Sequence, residues 1–257
     1  MTLHELSANL KNTARLKLEG RYGVAVLLIS LFYLITFASQ EIVFLPVDFI
    51  AALLTLLNES YVPGPGYYII SFLLSTVLSV FLGILNTGLA LFFLNIACGR
   101  TASVFDLLYG YRYMFKKSLS LSAIMVLINT ILLLPFHICY YLYMADSTGS
   151  TDWFFYMMIA YITCYIINIP ISLALSQVYF LLLDFPQYSV KQLLSLSIRL
   201  MKGQKGKRFY LEWSFLPLEL LSMLTLGVGL LWVVPYRSLT MAIFFLDIMK
   251  SKAGVAK

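Results

Sequence analysis

Charged side chains are scarce in this sequence. Asp, Glu, Lys and Arg make up 12% of its 257 residues, about half the share usual in a soluble domain. A chain so poor in charge cannot cover a water-facing surface. Its net charge of +6 is therefore no sign of nucleic-acid binding. Cysteine is rare as well. Cys98, Cys139 and Cys164 are odd in number and lie in or beside apolar runs, which excludes a disulfide framework. Only two histidines occur, His4 and His137, far apart and without a Cys or His partner at metal-ligand spacing. No Gly-rich phosphate loop, H-E-x-x-H, G-x-S-x-G or acidic metal cluster appears. No cofactor, metal or catalytic residue is expected, and the chain does not read as an enzyme.

What it has is apolar length. Apolar residues make up 61% of the chain and aromatics 16%, with a mean hydropathy of +0.87. This composition points to an all-α polytopic membrane protein. The apolar runs fall at residues 22–44, 67–96, 119–144, 153–183 and 209–247. Pro46 is expected to end the first run, leaving 48–58 as a short surface helix and Tyr61–Gly66 as a turn. Thr36-Phe37-Ala38 loosely mimics a signal-peptidase site, but the apolar run continues past it, so the first span is read as uncleaved. The last run is too long for one crossing. Thr225-Leu226-Gly227-Val228-Gly229 offers a turn, so residues 209–247 divide into a fifth and a sixth span.

Lys and Arg choose the side. Four lie in the N-terminal segment, four in 99–117, six in 189–208 and three in the C-terminal tail. The loops on the other side carry none, and Arg237 alone falls within a span. The asymmetry places both termini in the cytoplasm.

The three basic segments open alike: T-L-H-E-L at Thr2, S-V-F-D-L-L at Ser103 and S-V-K-Q-L-L at Ser189. Each pairs Thr or Ser with Glu, Asp or Gln three residues on, the capping-box spacing. In Thr2–Glu19, Leu3, Leu6, Leu10, Ala14 and Leu18 form one stripe; in the third segment Val190, Leu193, Leu194, Ile198 and Met201 do so. The expected architecture is six transmembrane helices forming three parallel-repeat hairpins, each preceded by a cytoplasmic amphipathic helix. A single integral membrane domain, 1–257, would hold repeats 1–98, 99–183 and 184–257. Lys191, Arg199, Lys202, Lys205, Lys207 and Arg208 form a candidate membrane-surface basic patch facing anionic lipid headgroups.

Asn95–Arg100, Asp106–Tyr111 (D-L-L-Y-G-Y), Arg199–Lys205 (R-L-M-K-G-Q-K) and above all Leu224–Tyr236 (L-T-L-G-V-G-L-L-W-V-V-P-Y) resemble the bacterial integral membrane proteins grouped as domain of unknown function 975. The resemblance covers nearly the whole chain and implies six spans in a bacterial plasma membrane; it brings no activity with it. One departure is Phe244-Phe245-Leu246-Asp247, where members carry an F-Y-E-D-like run.

Within the spans, Glu219, Arg237, Asn168, Asn129 and His137 form the candidate polar site, with Asn86, Asn95, Gln177 and Glu212 as further polar residues. Glu219 and Arg237 lie nine residues on either side of Val228, so antiparallel neighbours would bring them to one depth near mid-bilayer as a buried ion pair. Small residues at Ser71, Ser75, Ser79 and Gly83, and at Ala160, Cys164, Ser172 and Ser176, read as helix-packing stripes. Two functions fit: a scaffold or accessory membrane component contacting anionic lipid or a membrane-protein partner, or a small transporter or lipid-handling protein with a polar cavity.

Overall fold

A computed structural model describes residues 3–57, 64–146 and 151–255, with side chains to residue 251. Every regular element among the described residues is helical. Five helices are long and apolar enough to cross a membrane: Tyr22–Leu57, Pro65–Ala97, Phe115–Ala145, Asp152–Asp184 and Leu230–Ser251. The chain is a multi-pass membrane protein by that measure, and it divides into two compact units.

The first unit comprises Met1–Tyr33, Ile84–Ser118 and Ser172–Lys257, and it has a protein core. Its elements are α1 (Leu3–Leu18), the start of α2 (Tyr22–Leu57), α4 (Leu85–Ala97), a 3-10 turn (Val104–Leu108) with α5 (Tyr109–Arg112), α8 (Val178–Asp184), α9 (Val190–Met201), α10 (Lys205–Trp213), α11 (Leu216–Met223) and α12 (Leu230–Val255). α12 is the hub, packing against α1, α4 and α11. Leu239, Ala242, Phe244 and Phe245 on α12 are buried, as are Phe92 and Phe93 on α4 and Ala14 and Leu18 on α1. Phe245 stacks on Phe180 of α8, with ring centroids 5.2 Å apart. The stripe expected on α1 is the face it buries from Leu10 through Ala14 to Leu18, whereas Leu3 at its start is exposed.

The second basic segment does not form one long helix. It is a 3-10 turn followed by the four residues of α5, pressed onto α4. A Cβ on Gly88 would sit 2.1 Å from Leu107 O, and one on Gly110 would sit 2.7 Å from Ile84 O. Only glycine permits that backbone approach. The capping boxes at Ser103/Asp106 and Ser189/Gln192 are both formed; Thr2 of the first lies outside the described residues. In the third, Ser189 N donates to Gln192 Oε1 at 2.9 Å.

The second unit, Leu34–Gly83 and Leu119–Ile171, holds the outer part of α2, α3 (Pro65–Leu82), most of α6 (Phe115–Ala145) and most of α7 (Asp152–Leu175). Its apolar side chains point outward: Leu34, Phe37, Ile42, Ile131 and Ile159 are all more than half exposed. That outward apolar surface is what lipid requires and water penalises. Pro46, expected as a breaker, sits inside the continuous α2. A proline removes one intrahelical bond, but abandoning the helix in an apolar medium would strand many. The turn expected at 61–66 lies outside the described residues as far as 63; the rest is Gly64 and the first two residues of α3.

The packing stripes are realised in part. Ser122 Oγ donates to Val80 O at 2.7 Å where a Cβ on Gly83 would collide with that hydroxyl, and Cys164 is buried, whereas Ser172 is exposed.

The largest departure concerns residues 209–224, expected as one span. They belong to two short helices, α10 and α11, that break at Ser214–Phe215. Pro217 in the first turn of α11 has no N–H to continue α10.

Candidate functional site

α11 packs against α12 as a helical hairpin, and charged side chains gather at its open end. Arg237 Nη1 donates to Glu219 Oε1 at 2.8 Å, so the contact expected from equal depth on two antiparallel helices is made. It is not buried within the protein: the Arg237 side chain is 41% exposed and that of Glu219 23%. Within α10, Arg208 Nε donates to Glu212 Oε1 at 3.0 Å. Arg208, expected on the membrane-surface patch, instead points into the protein. It is buried, its guanidinium lies 5.9 Å from the Phe244 ring, and its Nη1 has no hydrogen-bond partner. The i,i+4 spacing of Arg208 and Glu212 and the approach of α12 turn this side chain inward. Burial pushes its pKa down from the usual guanidinium value; Glu212 opposes that shift and the nearby positive charge of Arg237 adds to it.

α1 closes the group. Lys11 Nζ donates to Ser214 O at 2.7 Å and lies 4.2 Å from the centre of the Phe215 ring. Burial lowers the pKa of this ammonium. Phe215 in turn meets Tyr236 edge to face at 5.2 Å. The arrangement is electrostatic: two Arg–Glu pairs and a lysine held on the Phe215 ring.

The other candidates lie in the second unit. Asn168 Nδ2 donates to Asn129 Oδ1 at 3.1 Å, and Asn129 Nδ2 donates to Met125 O at 3.0 Å. This is an interhelical amide pair joining α6 and α7. His137, eight residues beyond Asn129 on α6, packs edge-on against Phe72 at 5.1 Å. It lines a cavity of about 580 Å³ whose wall is mostly apolar and includes Phe44, Tyr68, Phe72 and Tyr141. Neither Glu219 nor Arg237 borders that cavity.

Lys191, Arg199, Lys202 and Lys207 are exposed and Lys205 is half-buried. Sequence reasoning missed the parts played by Lys11 and Glu212; for Glu212 the signal was the four-residue spacing, and for Lys11 there was none. Among the described residues no group of three or more His, Cys, Asp or Glu could hold a metal ion.

No curated protein and no solved structure matches the chain. Residues 1–252 match the family described as protein of unknown function DUF975. The match takes in every helix that builds the charged hairpin base, and the chain belongs to that family.

Proposed function

We propose that this protein is a non-enzymatic component of the bacterial plasma membrane, a scaffold or accessory subunit that holds anionic lipid headgroups, and through them a membrane-protein partner, at its cytoplasmic side. Both termini face the cytoplasm, and the chain is organised as three hairpins each led by a cytoplasmic helix.

One observation supports the reading above all: the graded surface that runs from α9 to α11. Exposed Lys191, Arg199, Lys202 and Lys207 come first. Phe209, Tyr210 and Trp213 follow, 37%, 37% and 54% exposed, and then the exposed leucines of α11. Positive charge, then aromatics, then aliphatics is the order in which a chain meets headgroups, interface and acyl core. Each Lys or Arg near an anionic surface contributes about 1 kcal/mol.

The test is the full chain in nanodiscs of phosphatidylglycerol or of phosphatidylcholine, followed by thermal unfolding. Phosphatidylglycerol should raise the midpoint. A variant with Lys191, Lys202 and Lys207 changed to Glu should lose most of that gain, and 0.5 M salt should reduce it in the parent. Equal midpoints in the two lipids, in parent and variant alike, reject the proposal.

The cavity beside His137 favours a second reading, a lipid-handling protein that houses an acyl chain there. Lipid movement between the leaflets of proteoliposomes, abolished by Phe72→Trp, would support it; no movement above protein-free vesicles would leave the scaffold reading in place.

A further inference from the structure

We infer that the C-terminal hairpin, Phe215–Tyr236, does not cross the bilayer but dips into its cytoplasmic leaflet and returns. This rests on the cytoplasmic placement of α1 proposed above. It replaces the third spanning hairpin by a half-depth one, whose interaction surface is the acyl chains of a single leaflet.

Depth is the first argument. α1 carries His4, Glu5, Lys11, Arg15 and Lys17, and such a helix belongs at the interface, because charge at the bilayer centre is strongly disfavoured. Lys11 is bonded to Ser214 O and lies on the Phe215 ring, so the top of α11 is level with α1. Tyr236 meets Phe215 and closes the hairpin at the same level. Only the eight residues of α11 lie between that level and the turn, which is about 12 Å of helix. With the turn itself the reach is about 15 Å, half of a core about 30 Å thick. A full crossing would drag Lys11 and its neighbours down to mid-bilayer.

The turn itself is the second argument. Leu226 is 97% exposed and Leu224 81%, and no charged residue lies between them and Gly229. On the far aqueous face that tip would put its most exposed leucines into water. Its N–H groups are satisfied internally, as a lipid setting demands. The N–H groups of Leu224, Thr225, Leu226, Gly227 and Val228 donate to Leu221, Ser222, Met223, Ser222 and Thr225 carbonyls. Gly229 N donates to Thr225 Oγ1 at 2.9 Å. The third argument is α12. Half of its apolar stretch is buried by protein, against 39% in Asp152–Asp184 and 11–17% in Tyr22–Leu57, Pro65–Ala97 and Phe115–Ala145. The buried half faces the core that α12 anchors, so its hydropathy does not by itself require a full crossing.

The half-depth hairpin also brings Glu219 and Arg237 close to the headgroups. Arg237 is next to Tyr236, so its partly exposed guanidinium reaches the interface without crossing hydrocarbon.

Single cysteines in a full-length chain lacking Cys98, Cys139 and Cys164 test this. Leu226→Cys is the probe, Asp146→Cys the outer reference and Lys207→Cys the inner one, with a membrane-impermeant maleimide applied to intact cells and to inverted vesicles. Asp146→Cys should label only from outside and Lys207→Cys only from inside, while Leu226→Cys resists both. A bimane on Leu226→Cys should be quenched several-fold more by deep than by shallow doxyl lipids. Labelling of Leu226→Cys from outside shows a full crossing and overturns the inference. So does labelling from inside, which shows a tip that never enters lipid. References that label from the opposite sides overturn the leaflet assignment, and they do so through the orientation reading, whatever the bimane reports.

Discussion

Neutralising Glu219 should harm the protein more than neutralising Arg237, and the structure says by how much. The pair is joined by one 2.8 Å hydrogen bond between side chains that are 41% and 23% exposed. Exposed pairs are worth about 0–1 kcal/mol, and removing one partner of a fully buried pair costs about 3–5 kcal/mol. This pair lies between those limits, so Arg237→Gln should cost about 1–2 kcal/mol. Glu219→Gln does more, because it leaves Arg237 unopposed near Arg208, a buried guanidinium that already feels its charge. About 2–3 kcal/mol is expected for that change. The double variant removes both the stranded carboxylate and the repulsion and should be milder than Glu219→Gln alone. Thermal unfolding of the purified full chain in one detergent measures the cycle, at roughly 2–4 °C per kcal/mol for a chain of about this size. Strictly additive losses, or a larger loss for Arg237→Gln, would refute the reasoning, since either outcome means the two groups do not sense each other and Arg208 together.

Gly88→Ala drives a methyl group into the Leu107 carbonyl at 2.1 Å and should lower the unfolding midpoint sharply or abolish folded yield, whereas Gly206→Ala, with nothing within 4 Å, should change little. Glu212→Gln strands the buried Arg208 beside a carboxylate site that is 40% exposed and should cost about 2–3 kcal/mol, between the exposed and fully buried limits, while replacing both (Arg208→Met with Glu212→Gln) should recover most of it, read in the same melting assay. Asn168→Leu removes the amide that donates to Asn129 and should cost no more than about 1–2 kcal/mol, as interhelical amide bonds in membranes do. Gly83→Leu should destabilise α3 against α6 by displacing Ser122, more than Leu73→Ile at an exposed position does, by comparison of folded yields.

Composition and periodicity alone determined the class of molecule, the approximate limits of the apolar helices and the two capping boxes that the described residues include, because hydropathy and helix caps are local properties of the chain. The register of Glu219 with Arg237 was legible too, since a short turn leaves antiparallel neighbours little freedom. Three things were not. The continuity of α2 through Pro46 depends on the medium around the helix, which proline's local geometry does not report. The burial of Arg208 depends on Phe244 and α12, residues distant in sequence that only folding brings near. The apolar character of α12 carried the same signal whether it faced lipid or protein. Only the packing of α1 and α4 upon it shows that half of that apolar stretch is buried by protein, because burial removes apolar surface from water equally well in either solvent.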